Sequence, residues 1–279
     1  MTIGAVEPFP GQELTAALRA GVSVEERFVP GPAGAPEVRV LLYRPKGVES
    51  TLPLIVSLHG GGFRLRPDNF PAGDAQLAIL GALVVAVDYR IVPEHPFPEG
   101  VDDCLAALSW AVENLDIDQS RVVVTGVSAG GALTAAVTQM ARDRGGPSIC
   151  FQGLVIPVID DRCETSSMLQ FVEGPLFGAT EARSMWDTYL GGRDRATTPP
   201  YAAPGRAEDL SNLPPAFIQV GGLDPLRDEG IEYGLRLMAA GVSVELYCAP
   251  NQHHGKSEDQ RTATQARDLY LAAITAAIA

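Results

Sequence analysis

Residues 121–131 read RVVVTGVSAGG. The three valines are the β-branched, wholly apolar run of a strand buried on both faces. The stretch that follows from residue 129, AGGALTAAVTQMA, is alanine-rich and patterned as a helix. A tight turn joins the two, and Ser128 stands at its centre between Gly126 and Gly130. GVSAGG therefore fits G-x-S-x-G in the strand–turn–helix setting that this pattern requires. Two readings of the serine stay open on this stretch alone. It is either a nucleophile raised at a helix N-terminus, where the dipole favours negative charge, or a small residue that lets a helix begin.

Outward from this join, apolar runs alternate with helical patterns. The runs are 38–45, 52–60, 82–90, 121–126, 153–159, 216–222 and 242–250; the helix candidates are 99–114, 128–142, 228–240 and 258–278. Such alternation predicts an α/β fold with a mostly parallel, doubly wound central sheet flanked by helices. Two regions break the pattern. Residues 1–35 are rich in Pro and Gly, and 164–212 hold one amphipathic helix near TEARSMWDTYL before a TTPPYAAPG loop. Long insertions after a strand of such a sheet often serve as lids. The expectation is an N-terminal cap segment over 1–35, a catalytic domain over 36–279, and a cap insertion around 164–212. Together these would form a small helical cap over the C-terminal edge of the sheet, where α/β ligands bind.

A chain of 279 residues suits one α/β domain. A formal net charge of −13 disfavours a nucleic acid partner, which needs clustered Lys and Arg. No run approaches the roughly 18 apolar residues of a membrane span. The opening MTIGAVEPFPGQEL has neither the basic start nor the apolar core of a secretory signal. Cys104, Cys150, Cys163 and Cys248 lie far apart, with no CxxC and no Cys/His cluster for zinc. We expect reduced thiols, a cytoplasmic protein and no metal.

HGGGF (59–63) directly follows the run LPLIVSL. Three glycines in a row cost backbone entropy. They mark either a flexible turn or a place where N–H groups close on a developing oxyanion, an effect of about 3–4 kcal/mol per donor. A base and its orienting acid should follow the serine in the order Ser, Asp or Glu, His. Of four histidines, His59 and His95 precede Ser128, which leaves His253 and His254. Asp224 ends one apolar run and precedes a helix candidate, where it is either the acid or an Asp-Pro turn. Asp160 and Asp161 are the second choice.

HGGGF, VDYRIVPEHPFP (87–98), GVSAGG, LDPLRDEG (223–230) and HHG (253–255) occur in that order. With these motifs the chain resembles the hormone-sensitive-lipase-like, bacterial type IV esterases of the α/β-hydrolase fold. The resemblance runs from about Val38 to the end. It implies Ser128 as nucleophile, Asp224 as orienting acid and His254 as base, because the family's histidine immediately precedes the motif glycine, here Gly255. It implies Gly60, Gly61 and Ala129 as oxyanion donors, and an ion pair of Arg90 with Glu94 under the site. Phe63, Val127 and Lys256 are expected in the substrate pocket. Three departures stand out: Val127 replaces the Asp of GDSAGG, Lys256 replaces the aromatic of HGF, and the N-terminal segment is shorter than the usual cap.

The implied activity is a serine carboxylesterase acting on small or medium-chain esters through an acyl-enzyme, with no cofactor. Alternatives are a lactonase, amidase or deacetylase on the same triad, and a non-catalytic small-molecule receptor. The expected partner is a small ester. A homodimer paired through a sheet edge is expected from the family.

Overall fold

The computed structural model describes residues 13–279, so part of the N-terminal cap expected over 1–35 lies outside the described residues. Eight strands form the main sheet: β1 (Val22–Val29), β2 (Val38–Pro45), β3 (Leu52–Leu58), β4 (Leu83–Asp88), β5 (Ile117–Val127), β6 (Phe151–Val155), β7 (Ala216–Gly221) and β8 (Val244–Ala249). The helices among the described residues are α1 (Ala16–Gly21), α2 (Pro71–Ile79), α3 (Glu99–Asn114), α4 (Ala129–Arg144), α5 (Ser166–Gln170), α6 (Ala179–Leu190), α7 (Arg227–Ala239) and α8 (Gln260–Ile278). A two-residue hairpin, β9 (Gln252–His253) with β10 (Lys256–Ser257), precedes α8.

The sheet runs in the order β1-β2-β4-β3-β5-β6-β7-β8. Strands β3 to β8 are parallel, while β1 and β2 run antiparallel at one end. Alternate residues of β2 point to opposite layers. Val40 and Leu42 join the core under α3 and α4, whereas Leu41 and Tyr43 join the core under α2 and α8. This two-sided burial explains why the central strands read as continuous apolar runs. A third cluster packs Tyr233 and Leu237 of α7 on Ile218 and Val220 of β7.

After β3 the chain builds β4 on one side and β5 on the other, so the winding direction reverses between β3 and β5. At such a switch point the loops leaving the strand ends diverge and open a crevice. HGGGF leaves β3 and Ser128 leaves β5 at this crevice. The helix after Ser128 is the innermost one: every residue of α4 from Ala129 to Ala141 is buried. It stops at Gly145, which takes the left-handed conformation (φ 63°) that ends helices, with Arg142 and Arg144 in the last turn against the dipole.

One expectation needs correction. Residues 22–29, assigned to the cap, form the edge strand β1, paired along its length with β2. Its middle residues, Ser23 to Arg27, face solvent as SVEER and hide the strand pattern. The insertion at 164–212 holds α5 and α6, and no helix among the described residues is long and apolar enough to cross a membrane.

Candidate active site

The turn between β5 and α4 places Ser128 at φ 57° and ψ −116°, a conformation that L side chains rarely adopt. Strain of about 1–3 kcal/mol persists only where the surroundings enforce it. Here they do so by close approach of backbones. A Cβ at Gly130 would lie 1.8 Å from the Leu58 carbonyl oxygen, and one at Gly126 would lie 2.2 Å from that of Gly130. Both positions of the motif therefore admit glycine alone. The Ser128 N–H donates to the Val155 carbonyl at 2.8 Å, and its own carbonyl receives the N–H groups of Gly131 and Val158, which pins the turn to β6.

The Ser128 Oγ lies 2.9 Å from His254 Nε2, and His254 Nδ1 lies 2.8 Å from Asp224 Oδ2. Asp224 accepts a second hydrogen bond on Oδ1 from the Leu226 N–H at 2.9 Å. An ionised carboxylate only accepts, so Nδ1 carries the proton and Nε2 offers its lone pair to the serine hydroxyl. All three side chains are buried, Asp224 most deeply at 1 % exposure. Asp224 follows β7, and His254 sits in the turn between β9 and β10, next to Gly255 in the left-handed region. His253 instead turns outward to Glu258, 3.1 Å away.

Gly60 follows β3 with no room for a side chain: a Cβ would come within 2.8 Å of the Val127 carbonyl and 3.5 Å of the Ser128 Cβ. Gly61 has φ 95°, open to glycine and strained for other residues. The N–H groups of Gly60, Gly61 and Ala129 reach no backbone carbonyl among the described residues. They are thus free to donate beside the serine. His59, just before them, plays another part. Its ring is stacked 4.1 Å from that of Tyr89, and burial lowers its pKa to about 4, so it stays neutral.

A cavity of about 320 Å³ opens on the serine. Its walls are Phe70, Ile156, Leu176, Phe177 and Met185, with Arg64 and Glu181 at the polar side. The Phe177 ring lies 4.5 Å from that of His254. These wall residues were not read from the sequence, because α6 and the loop before it reach the site only through tertiary packing. Of the expected pocket residues, Val127 lines this cavity and is 42 % exposed. Phe63 does not. It is 1 % exposed and stacked on Tyr189 at 3.8 Å, so it holds the glycine loop to α6 as core. The ion pair of Arg90 with Glu94 is also corrected: Arg90 pairs with Glu99 and Asp103, while Glu94 faces solvent.

A second cavity of about 390 Å³ lies between α2 and α8 and shares Gly60, Phe70, Val127, Ile156 and Gly255 with the first. Lys256 lines this cavity and not the catalytic one. On its wall Asp74 of α2 is 5 % exposed and receives the Ser57 hydroxyl at 2.6 Å. Burial pushes its carboxyl up to about 7, opposed only by that hydrogen bond. The folded state thus holds this proton more tightly than the unfolded chain does. Stability falls as pH rises from about 4 to about 7, by at most about 4 kcal/mol. Asp74→Asn keeps the shape and removes the titration. Urea unfolding should find this variant more stable than the parent at pH 8, with the gap shrinking toward pH 5. A gap that widens on acidification would refute the assignment.

The family model described as the α/β hydrolase fold matches residues 55–257. The chain is 42 % identical over 240 residues to carboxylesterase NlhH of Mycobacterium tuberculosis, covering 83 % of this chain and 75 % of that protein. It is 40 % identical over 239 residues to esterase LipI of the same organism, covering 83 % and 74 %. Among solved structures, a bacterial heroin esterase superposes with a TM-score of 0.89 at 41 % identity, covering 95 % of this chain and 89 % of that one. The fold, the order of the motifs and these likenesses agree: the chain belongs to the α/β-hydrolase fold family, in its hormone-sensitive-lipase-like branch.

Proposed function

We propose that this chain is a serine carboxylesterase in which Ser128, His254 and Asp224 form the catalytic triad. The observation that carries the reading is the unbroken hydrogen-bond relay from Ser128 Oγ through His254 to Asp224 at the mouth of an apolar cavity. The relatives' names, carboxylesterase and esterase, support the same reaction class.

In this reading Ser128 Oγ attacks the ester carbonyl carbon while His254 Nε2 takes its proton. The carbonyl oxygen becomes an oxyanion, held by the N–H groups of Gly60, Gly61 and Ala129. Asp224 steadies the imidazolium without taking its proton. The tetrahedral species collapses, the bond to the alcohol oxygen breaks, and His254 returns its proton to that oxygen. Water repeats the cycle on the acyl-enzyme and releases the acid. Every group in this sequence belongs to the chain, so no cofactor enters it.

Hydrolysis of p-nitrophenyl acetate, with a fluorophosphonate ester as covalent probe, tests the assignment. The probe should label the chain once, at Ser128, and abolish hydrolysis in proportion. Label on another residue at equal loss of activity would overturn the choice of nucleophile. The reading also includes a cytoplasmic setting, supported by four free cysteines. It includes a homodimer through one of the two sheet edges, β1 or β8; a monomer mass by light scattering removes that part.

A further inference from the structure

The cavity between α2 and α8 has walls that are mostly apolar, yet the polar groups along it are short of donors. His59 Nδ1 lies 3.0 Å from the Gly60 carbonyl, which fixes the proton on Nδ1 and leaves Nε2 as an acceptor. That Nε2 is buried with no partner among the described residues, as is the Ser257 Oγ. Both residues line this cavity. Asp74 adds a carboxyl whose one hydrogen-bond partner among the described residues is Ser57, with no cation paired to it. An unpaired buried polar atom such as His59 Nε2 or Ser257 Oγ costs about 1–3 kcal/mol. Two of these residues, Asp74 and His59, bring acceptors to the lining of one cavity, and Ser257 brings a hydroxyl that accepts as well as donates, so the lining favours something that supplies donors.

The cavity also adjoins the catalytic one. Val127 and Ile156 stand on the boundary, together with Gly60, beside Ser128. Val127 immediately precedes Ser128, is 42 % exposed and has a side chain with no hydrogen-bonding group, so its side chain leaves this boundary apolar. Lys256 and Arg267 line the outer part, but both are exposed and Arg267 is paired with Asp268. Exposed charges are screened by salt, and buried ones far less. The interior acceptors therefore set the preference.

We propose that this second cavity is a ligand lobe of the same site, taking a substrate group that ends in a hydrogen-bond donor, a hydroxyl or an ammonium, on an apolar stem. The stem lies along Val127 and Leu77, and the donor end meets the Asp74 carboxyl, with His59 and Ser257 on the same lining. The link to turnover rests on the esterase reading, whereas binding in the lobe does not.

Calorimetric titration of the whole chain at pH 8 with hexylamine, 1-hexanol and hexanoate tests this. The amine and the alcohol should bind at least tenfold more tightly than the carboxylate. Asp74→Asn should weaken hexylamine tenfold or more, and weaken it more than hexanol, which separates the ammonium from the hydroxyl. Ala263→Phe, at a half-buried position of α8 on the cavity wall, should weaken both donors tenfold by filling the lobe. Equal binding of hexanoate, or no binding of any probe, would overturn the proposal. So would donor affinities unchanged in Ala263→Phe, a result that stands even where Asp74→Asn fails to fold. Hydrolysis of p-nitrophenyl acetate without probe binding removes the lobe alone; probe binding without hydrolysis removes the esterase reading alone.

Discussion

Ser128→Ala and His254→Ala each lower kcat on p-nitrophenyl acetate by about a millionfold, and the double variant falls no further. The reason is that the two side chains act as one unit. At 2.9 Å the serine hydroxyl gives its proton to Nε2 as it attacks, so either loss leaves the other without its task. What survives comes from the N–H groups beside the serine and from the cavity, which neither substitution touches. His253→Ala is the internal control. Its ring is bound to Glu258, and its removal should change kcat by less than about threefold, since an exposed pair contributes little. Steady-state kinetics on the four variants decides the matter. Additive losses in the double variant, or a larger loss at His253, would contradict the relay.

Asp224→Asn should lower kcat by about ten-thousandfold while the protein stays folded. The size follows from which oxygen does what. Oδ1 receives the Leu226 N–H, so an asparagine keeps its oxygen there and turns its NH2 toward His254. Nδ1 then faces a donor, gives up its proton and becomes an acceptor. The neutral ring carries its proton on Nε2 and points an N–H at the serine hydroxyl, which no longer has a base to take its proton. The side chain is isosteric and the burial unchanged, so urea unfolding should shift by no more than about 1–3 kcal/mol. A variant that keeps a tenth or more of the parent kcat would show that Asp224 does not set the tautomer.

How far the sequence reaches is clearest at particular residues. Leu52–Leu58 and Leu83–Asp88 were legible because a parallel strand covered on both faces has no polar side to show. The order Ser, Asp, His narrowed the base to His253 or His254, and the resemblance, through Gly255, picked His254, the one of the two that lies 2.9 Å from Ser128. β1 was hidden by its exposed SVEER centre. α2 was hidden by PAGDAQLAI, whose small residues and buried Asp74 give no amphipathic stripe. Phe63 was misplaced because an aromatic after a glycine loop fits either a pocket or a core, and only Tyr189, far away in sequence, settles it. Arg90 chose Glu99 and Asp103 over Glu94 because one turn of α3 brings both carboxylates to the same side. The cavity walls depend on contacts between the serine turn and residues 176–185, and a single sequence does not encode such pairs.

The buried carboxyl of Asp74 makes one part of the fold's stability depend on the pH at which the protein is kept. Its own contribution to the fold is greatest where it still holds its proton, on the acidic side. Storage at a pH below about 7 keeps that contribution, and alkaline storage gives it up. The side chain responsible has its hydrogen bond to Ser57 and to none of Ser128, Asp224 and His254.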